Sequence, residues 1–310
     1  MSVNRILKVI CTVAIAIQVM ACGSDKEERE ESTVLKVVCT TGMIGNAAEI
    51  ITGGRMDITT LMGPGVDPHL YKPTQSDIEN LMEADIIIYN GLHLEGKMGE
   101  IFHKLENKKH IIVMAKGLAD AEVRKTAEFQ SGEDPHIWFN VKYWDGAIGH
   151  LTTELIRIDS DNNGFYMDNY KRYHEKLKEL HEWTIGQINT ISEDQRILIT
   201  AHDAFSYFGD AYGMKVRGLQ GISTSSEFGL KDRIELSKYI IENKIKAVFV
   251  ESSVPKKSIE AVMESCKDGG HTVVLGGELY SDALGSADSE AAEYIGMVKA
   301  NVNTIVNALK

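Results

Sequence analysis

Cysteine is scarce in this chain of 310 residues, with Cys11, Cys22, Cys39 and Cys266 the full set. Two of them lie in a leader-like start, so a disulfide framework is excluded and at most one pairing, Cys39 with Cys266, is left open. The reading we prefer is two buried thiols. Basic charge is also short. The formal net charge of −12 argues against nucleic acid or anionic lipid as a partner and is compatible with attracting cations. The sequence has no low-complexity stretch, and 43% hydrophobic residues can fill two ordinary cores. The usual zinc-hydrolase helix is missing too: His174-Glu175 and His181-Glu182 begin a His-Glu-x-x-His pattern, but Lys178 and Ile185 stand at its fifth position. Both histidines read as residues on the surface of a helix.

The N-terminal run is apolar but too short to span a bilayer. Arg5 and Lys8 precede it, it extends from Val9 to Ala21, and it ends at Cys22, the order of a secretory signal. Val19-Met20-Ala21-Cys22 resembles a bacterial lipobox, which implies cleavage of residues 1–21 and lipidation of Cys22. Residues 22–33 are dominated by Asp25 to Glu31, a charged run with nothing to bury, and read as a solvated tether.

From Val34 onward short apolar runs alternate with amphipathic segments. Strands are expected at Val34 to Thr40, Ile58 to Met62, Asp85 to Tyr89 and His110 to Met114, with helices near Ile44 to Ile51, Thr74 to Met82 and Lys97 to Leu105. A helix from Val141 to about Ile158 closes this first lobe, 34–160. The alternation restarts after Gln195, with strands at Ile197 to Thr200, Met214 to Gly218, Ala247 to Val250 and Thr272 to Leu275 and a last helix from about Ala291 to Leu309, in a second lobe, 194–310. Between them, Tyr166, Tyr170, Tyr173, Leu177, Leu180, Thr184, Ile188 and Ile191 step by threes and fours, with an N-cap offered by Asp161-Asn162-Asn163. This segment, 161–193, reads as a rigid helical strut. The expected fold is therefore α/β: two lobes, each with a mostly parallel four-stranded sheet flanked by helices, joined by one long helix.

Asp67-Pro68-His69 recurs as Asp134-Pro135-His136, and no other internal repeat is visible. Each proline fixes its own φ and holds the preceding Asp extended, so each imidazole leaves a stiff turn. Ligands of open parallel sheets bind beyond the carboxyl ends of the strands. Four side chains fall there: His69, His136, His202 in Thr200-Ala201-His202-Asp203-Ala204-Phe205, and Asp282 in Tyr280-Ser281-Asp282-Ala283. Seven other histidines sit in no matching motif, and of these only His93 follows a strand at the right edge. Asp203, Glu227, Glu251 and Glu278 are candidates for supporting roles behind the ligands. Tyr71, Trp138, Phe205 and Tyr207 are candidates to wall the site.

At Gly65-Val66-Asp67-Pro68-His69-Leu70-Tyr71-Lys72-Pro73, Asp134-Pro135-His136-Ile137-Trp138, the His202 segment and the Asp282 loop, the chain resembles the solute-binding lipoproteins of zinc and manganese ABC importers, the TroA-like family. The resemblance runs from about Leu35 to Leu309. It implies two lobes on one long helix, and it implies His69, His136, His202 and Asp282 as the ligands of one ion.

Three imidazoles and a carboxylate suit tetrahedral Zn²⁺, while Mn²⁺ prefers more oxygen, which Asp282 could supply through both its oxygens. No histidine-rich loop lies between Leu118 and Asp134, and Asn140 stands where the family often has Asp; both weaken the preference for zinc. The expected function is a membrane-anchored, extracytoplasmic receptor without catalytic turnover. As a monomer it captures one Zn²⁺ or, second, Mn²⁺ and delivers it to an ABC permease. The rivals are a zinc-dependent hydrolase with the same ligands and a surface adhesin.

Overall fold

The computed structural model describes residues 34–126, 132–225 and 228–310. The signal (1–21), the tether (22–33) with Cys22, and Glu227 lie outside the described residues. Strand β1 (Lys36–Thr41) is buried at every position after Lys36, and β3 (Ile86–Tyr89) is Ile-Ile-Ile-Tyr. Such continuous apolar runs belong to central strands covered on both faces. They pair in parallel, with β2 (Asp57–Met62) on one side and β4 (His110–Val113) on the other, giving the order β2-β1-β3-β4. Helices α1 (Gly42–Thr52), α2 (Gln75–Glu83) and α3 (Gly99–Leu105) make the crossovers, and α4 (Val141–Ile158) follows. Thr74 and Asp77 form a reciprocal capping box that starts α2.

The long helix is present as α5 (Asn163–Ile188). Its 26 residues give roughly 39 Å at 1.5 Å each. The expected side-chain cap is not made: Asn162 turns instead to Asp159 Oδ2, which also accepts from the Tyr166 hydroxyl. Tyr166, Tyr173, Leu177, Leu180, Thr184 and Ile188 form its buried stripe. The stripe packs against α1 and α4 from the first half and against α9 (Tyr294–Leu309) from the second.

Strands β5 (Ile197–His202) and β7 (Ala247–Glu251) are wholly buried, as central strands should be. They pair in parallel with β6 (Lys215–Gln220) and β8 (Val274–Leu279) respectively, and β5 lies beside β7 without a shared ladder, so where one four-stranded sheet was expected there are two two-stranded ones. Helices α6 (Ser206–Tyr212), α7 (Leu230–Glu242) and α8 (Lys257–Asp268) complete this half. Strand β8 starts later and runs further than expected, taking in Gly276 and Gly277. Here they continue a bulged strand, and any side chain at Gly276 would strike the Phe249 ring. One hydrophobic core runs from β1, α1 and α4 through α5 to α6 and α9, while smaller clusters fill each half separately. Cys39 and Cys266 are buried, free thiols, the first in the shared core and the second in the C-terminal cluster.

Candidate metal centre

The loop after β2 carries the first Asp-Pro-His. Asp67 Oδ1 accepts the His69 backbone N–H at 2.9 Å, closing a small turn around Pro68. The second copy repeats the device, with His136 N donating to Asp134 Oδ1 at 3.0 Å. Asp134 does more: the same oxygen lies 2.7 Å from His136 Nδ1, so the ring presents Nε2 inward. His202 is the last residue of β5. Its backbone N–H donates to Glu251 Oε1 at the end of β7, and its Nδ1 faces Glu251 Oε2 at 2.5 Å. Gly218 on β6 makes room for this corner, since a Cβ there would come within 2.4 Å of Asp203 N. Asp282 follows β8 on a loop held by Trp138 Nε1 donating to Ser281 O and by the Ser253–Ser281 hydroxyl pair.

The four side chains converge. His69 Nε2 and His136 Nε2 are 3.3 Å apart, Asp282 Oδ1 lies 3.5 Å from His136 Nε2, and Asp282 Oδ2 lies 3.3 Å from His202 Nε2. One ligand atom from each falls within 4.8 Å of the others, and all four residues are buried. Burial, reinforced by the neighbouring imidazoles, pushes His69 down to about 3. Burial opposes charge on His136 as well, yet hydrogen bonds to Asp134 and Asp282 outweigh it and raise the ring to about 9. His202 is likewise raised well above the ordinary range, burial being outweighed by Glu251 and Asp282. Asp282 is held far below the usual carboxylate range, because His202 and His136 outweigh its burial. Protons on the inward nitrogens and a divalent cation would compete for the same lone pairs.

The supporting candidates separate cleanly. Glu251 backs His202. Asp203 fixes its loop by accepting from Ser206, while Glu278 is on the surface with Lys256. Trp138 walls the site with its ring 5.3 Å from that of His136, and Tyr207 braces the Asp134 carbonyl at 3.2 Å. Tyr71 instead donates to Asp77 in the α2 cap, and Phe205 packs on Phe139. Asn140 caps α4 by accepting from Lys142 N. His93 is exposed and stays outside the cluster. His181 corrects its surface reading: it is buried on the inner face of α5, with Nδ1 3.2 Å from the Tyr212 hydroxyl. His174 is half-buried against Asp145. The roles of Asp67 and Asp134 were missed, although an Asp two residues before a histidine is a signal for such a turn. Nothing in sequence flagged Thr224, whose hydroxyl donates to Asp67 Oδ2 at 2.6 Å from 157 residues away.

A parallel α/β body on one long helix, with three imidazoles and a carboxylate gathered beyond its strand ends, defines a solute-binding protein. Residues 37–308 match the model of the zinc-uptake complex component A periplasmic family, ZnuA, and the chain belongs to that family. It is 45% identical over 289 residues to the manganese-binding lipoprotein MntA of Bacillus subtilis, covering 93% of this chain and 94% of that one. It is 41% identical over 273 residues to the zinc-binding protein TroA of Treponema pallidum, covering 88% of each. The solved structure of the periplasmic zinc-binding TroA superposes with a TM-score of 0.86 over 88% of this chain and 98% of that one. The family consists of substrate-binding receptors for ABC transporters, not enzymes.

Proposed function

We propose that this receptor captures one divalent transition-metal ion per chain with His69, His136, His202 and Asp282 as its ligands, and hands it to an ABC permease. The observation that carries this reading is the convergence of those four buried ligand atoms within 4.8 Å. Two ligands come from each half of the fold. The halves 34–160 and 194–310 act as lobes on the strut 161–193, so closing the cleft completes the site and opening it dismantles the site. Residues 1–21 are a signal, and lipid on Cys22 anchors a monomer outside the cytoplasm through the tether 22–33. Among the described residues no helix is long and apolar enough to cross a membrane.

Zn²⁺ is the cargo we infer first, because three nitrogens and a carboxylate are a zinc donor set and zinc outcompetes manganese at nitrogen-rich sites. Mn²⁺ is a second reading with its own support. Both Asp282 oxygens face imidazole nitrogens, at 3.5 and 3.3 Å, so the carboxylate is placed to bind through both. The relatives divide in the same way, one named manganese-binding and one zinc-binding.

Elemental analysis and metal-competition titration of residues 32–310 test the site against a His69→Ala, His136→Ala double variant. The expected result is one tightly held ion per chain, lost in the variant. Binding untouched by the double substitution would overturn the ligand assignment. The metal that restores growth to cells relying on this receptor identifies the cargo.

A further inference from the structure

The four side chains of the cluster are buried, and on the reading above an ion leaves when the two halves part. They are not fastened alike around it. On the His136 side, the bonds that cross between the halves include Trp138 Nε1 to Ser281 O, the Tyr294 hydroxyl to Trp138 O, and the Tyr207 hydroxyl to Asp134 O. All three lie in buried surroundings beside the shared core. On the His69 side, the Thr224 hydroxyl donates across to Asp67 Oδ2. Thr224 belongs to a short segment after β6, held by Gln220 Nε2 on the Thr224 carbonyl and by the Ser223–Ser225 hydroxyl pair. That segment reaches over from the C-terminal half to the loop carrying His69.

We propose that the Thr224–Asp67 hydrogen bond is the clasp that holds the cleft shut and sets the rate at which the ion is released. Asp67 makes the clasp informative. One of its oxygens accepts from Thr224 and the other fixes the His69 backbone, so parting the halves and freeing a ligand become one event. The acceptor is a carboxylate oxygen and Thr224 is buried, so removing the donor leaves a sheltered acceptor without its partner. Thr224 is a positioning residue: it reaches the ion through Asp67 and His69 and donates nothing to it. The inference rests on the four-ligand reading above, and its test separates the two.

The wild-type protein, loaded with Zn²⁺, is chased with an excess of a chromophoric chelator, and dissociation and association rates are measured for Thr224→Val, Thr224→Ser and Ser225→Ala. Thr224→Val keeps the shape and removes the donor, so release should accelerate roughly tenfold or more. Association should change less than about twofold, since the clasp forms only after closure. Thr224→Ser should restore slow release. Ser225→Ala, which removes one of the two hydroxyls that hold the Thr224 segment but not the donor itself, should accelerate release by less than Thr224→Val does. Melting temperatures of the metal-free variants report any folding defect separately. Unaltered release from Thr224→Val overturns the clasp, as does a loss of melting temperature with no change in rate, while zinc binding by the wild type stands untouched. A wild type that holds no zinc and no manganese overturns the ligand assignment and the clasp together.

Discussion

The two Asp-Pro-His copies are the same tripeptide put to opposite uses. In both, the Asp oxygen accepts the histidine N–H two residues on, at 2.9 Å in the first and 3.0 Å in the second. There the likeness ends. Asp134 turns inward, pairs with the His136 ring and is completely buried, while Asp67 accepts from Thr224, 157 residues away. His136 is thereby fixed beside the shared core, with its proton affinity raised, and His69 is tied to the other half, with its proton affinity lowered. A motif sets how a ring is presented; its surroundings set the charge it carries and when it lets go.

The largest effect should come from breaking this asymmetry at the carboxylates. Asp134→Ala removes the partner that orients His136 and raises its basicity, and partners of this kind are typically worth about 10–100-fold in metal affinity. Asp67→Ala leaves the His69 ring in place and removes only its backbone brace and the clasp, so its loss should appear mainly in the dissociation rate. Titration of both variants with Zn²⁺, paired with chelator-chase kinetics, distinguishes the two. Equal losses in affinity with unchanged dissociation from Asp67→Ala would show that the two copies are interchangeable after all.

How much of this was legible in the sequence follows from the range of each interaction. All four converging side chains could be named in advance, because each lies in a local motif whose residues do their work within a few positions. The long helix could be read from its stripe of Tyr166 to Ile188, since helical burial repeats on a local period. Tertiary pairing was not legible. Thr224 meets Asp67 only because β6 ends opposite the loop after β2, and His181 is buried only because α6 brings Tyr212 against it. Glu251 and Glu278 looked alike as supporting candidates, yet one closes on His202 and the other pairs with Lys256 at the surface. The choice between them depends on the bulged register of β7 with β8, which local pattern does not specify.

A second effect of the asymmetry should appear in stability against pH, measured as melting temperature of the chelator-stripped protein. His136 is raised from the ordinary value of about 6.5 to about 9, so its contribution is fully present below pH 6.5 and is lost as pH rises through about 9. His202, also raised, adds to this alkaline fall. His69 is lowered to about 3, so the unfolded chain binds a proton that the folded one refuses, and stability is lost as pH falls from 6.5 toward 3. His136→Gln should flatten the alkaline leg and His69→Gln the acid leg, each by a few degrees, at about 2–4 °C per kcal/mol. Saturating Zn²⁺ should abolish the alkaline leg in the wild type, because the ion takes the place of the protons. Legs that respond to the wrong substitution would invert the electrostatic contrast drawn between the two copies.

The smallest effect tests how far the rigid side of the contrast extends from the ring itself. Asn90 Nδ2 donates to the Pro135 carbonyl at 2.9 Å, directly before His136, and the Asn90 backbone is held by the buried carboxylate of Glu95, which also accepts from Thr40 Oγ1 at 2.7 Å. Beside it Gly91, Leu92 and His93 all have positive φ, a conformation that costs Leu and His something and persists only where neighbours enforce it. The second copy therefore has a brace behind its proline. Asn90→Ala removes two neutral hydrogen bonds, to the Pro135 carbonyl and, at 3.2 Å, to the Gly91 carbonyl; the first is worth about 1 kcal/mol, or roughly fivefold if it acts wholly through the orientation of His136. Zn²⁺ affinity should fall by no more than that, with the dissociation rate accounting for the change and association unaltered. A loss as large as that of Asp134→Ala would mean that His136 is held by the whole loop rather than by its own carboxylate, and that the inward turn of Asp134 follows from the loop rather than fixing it.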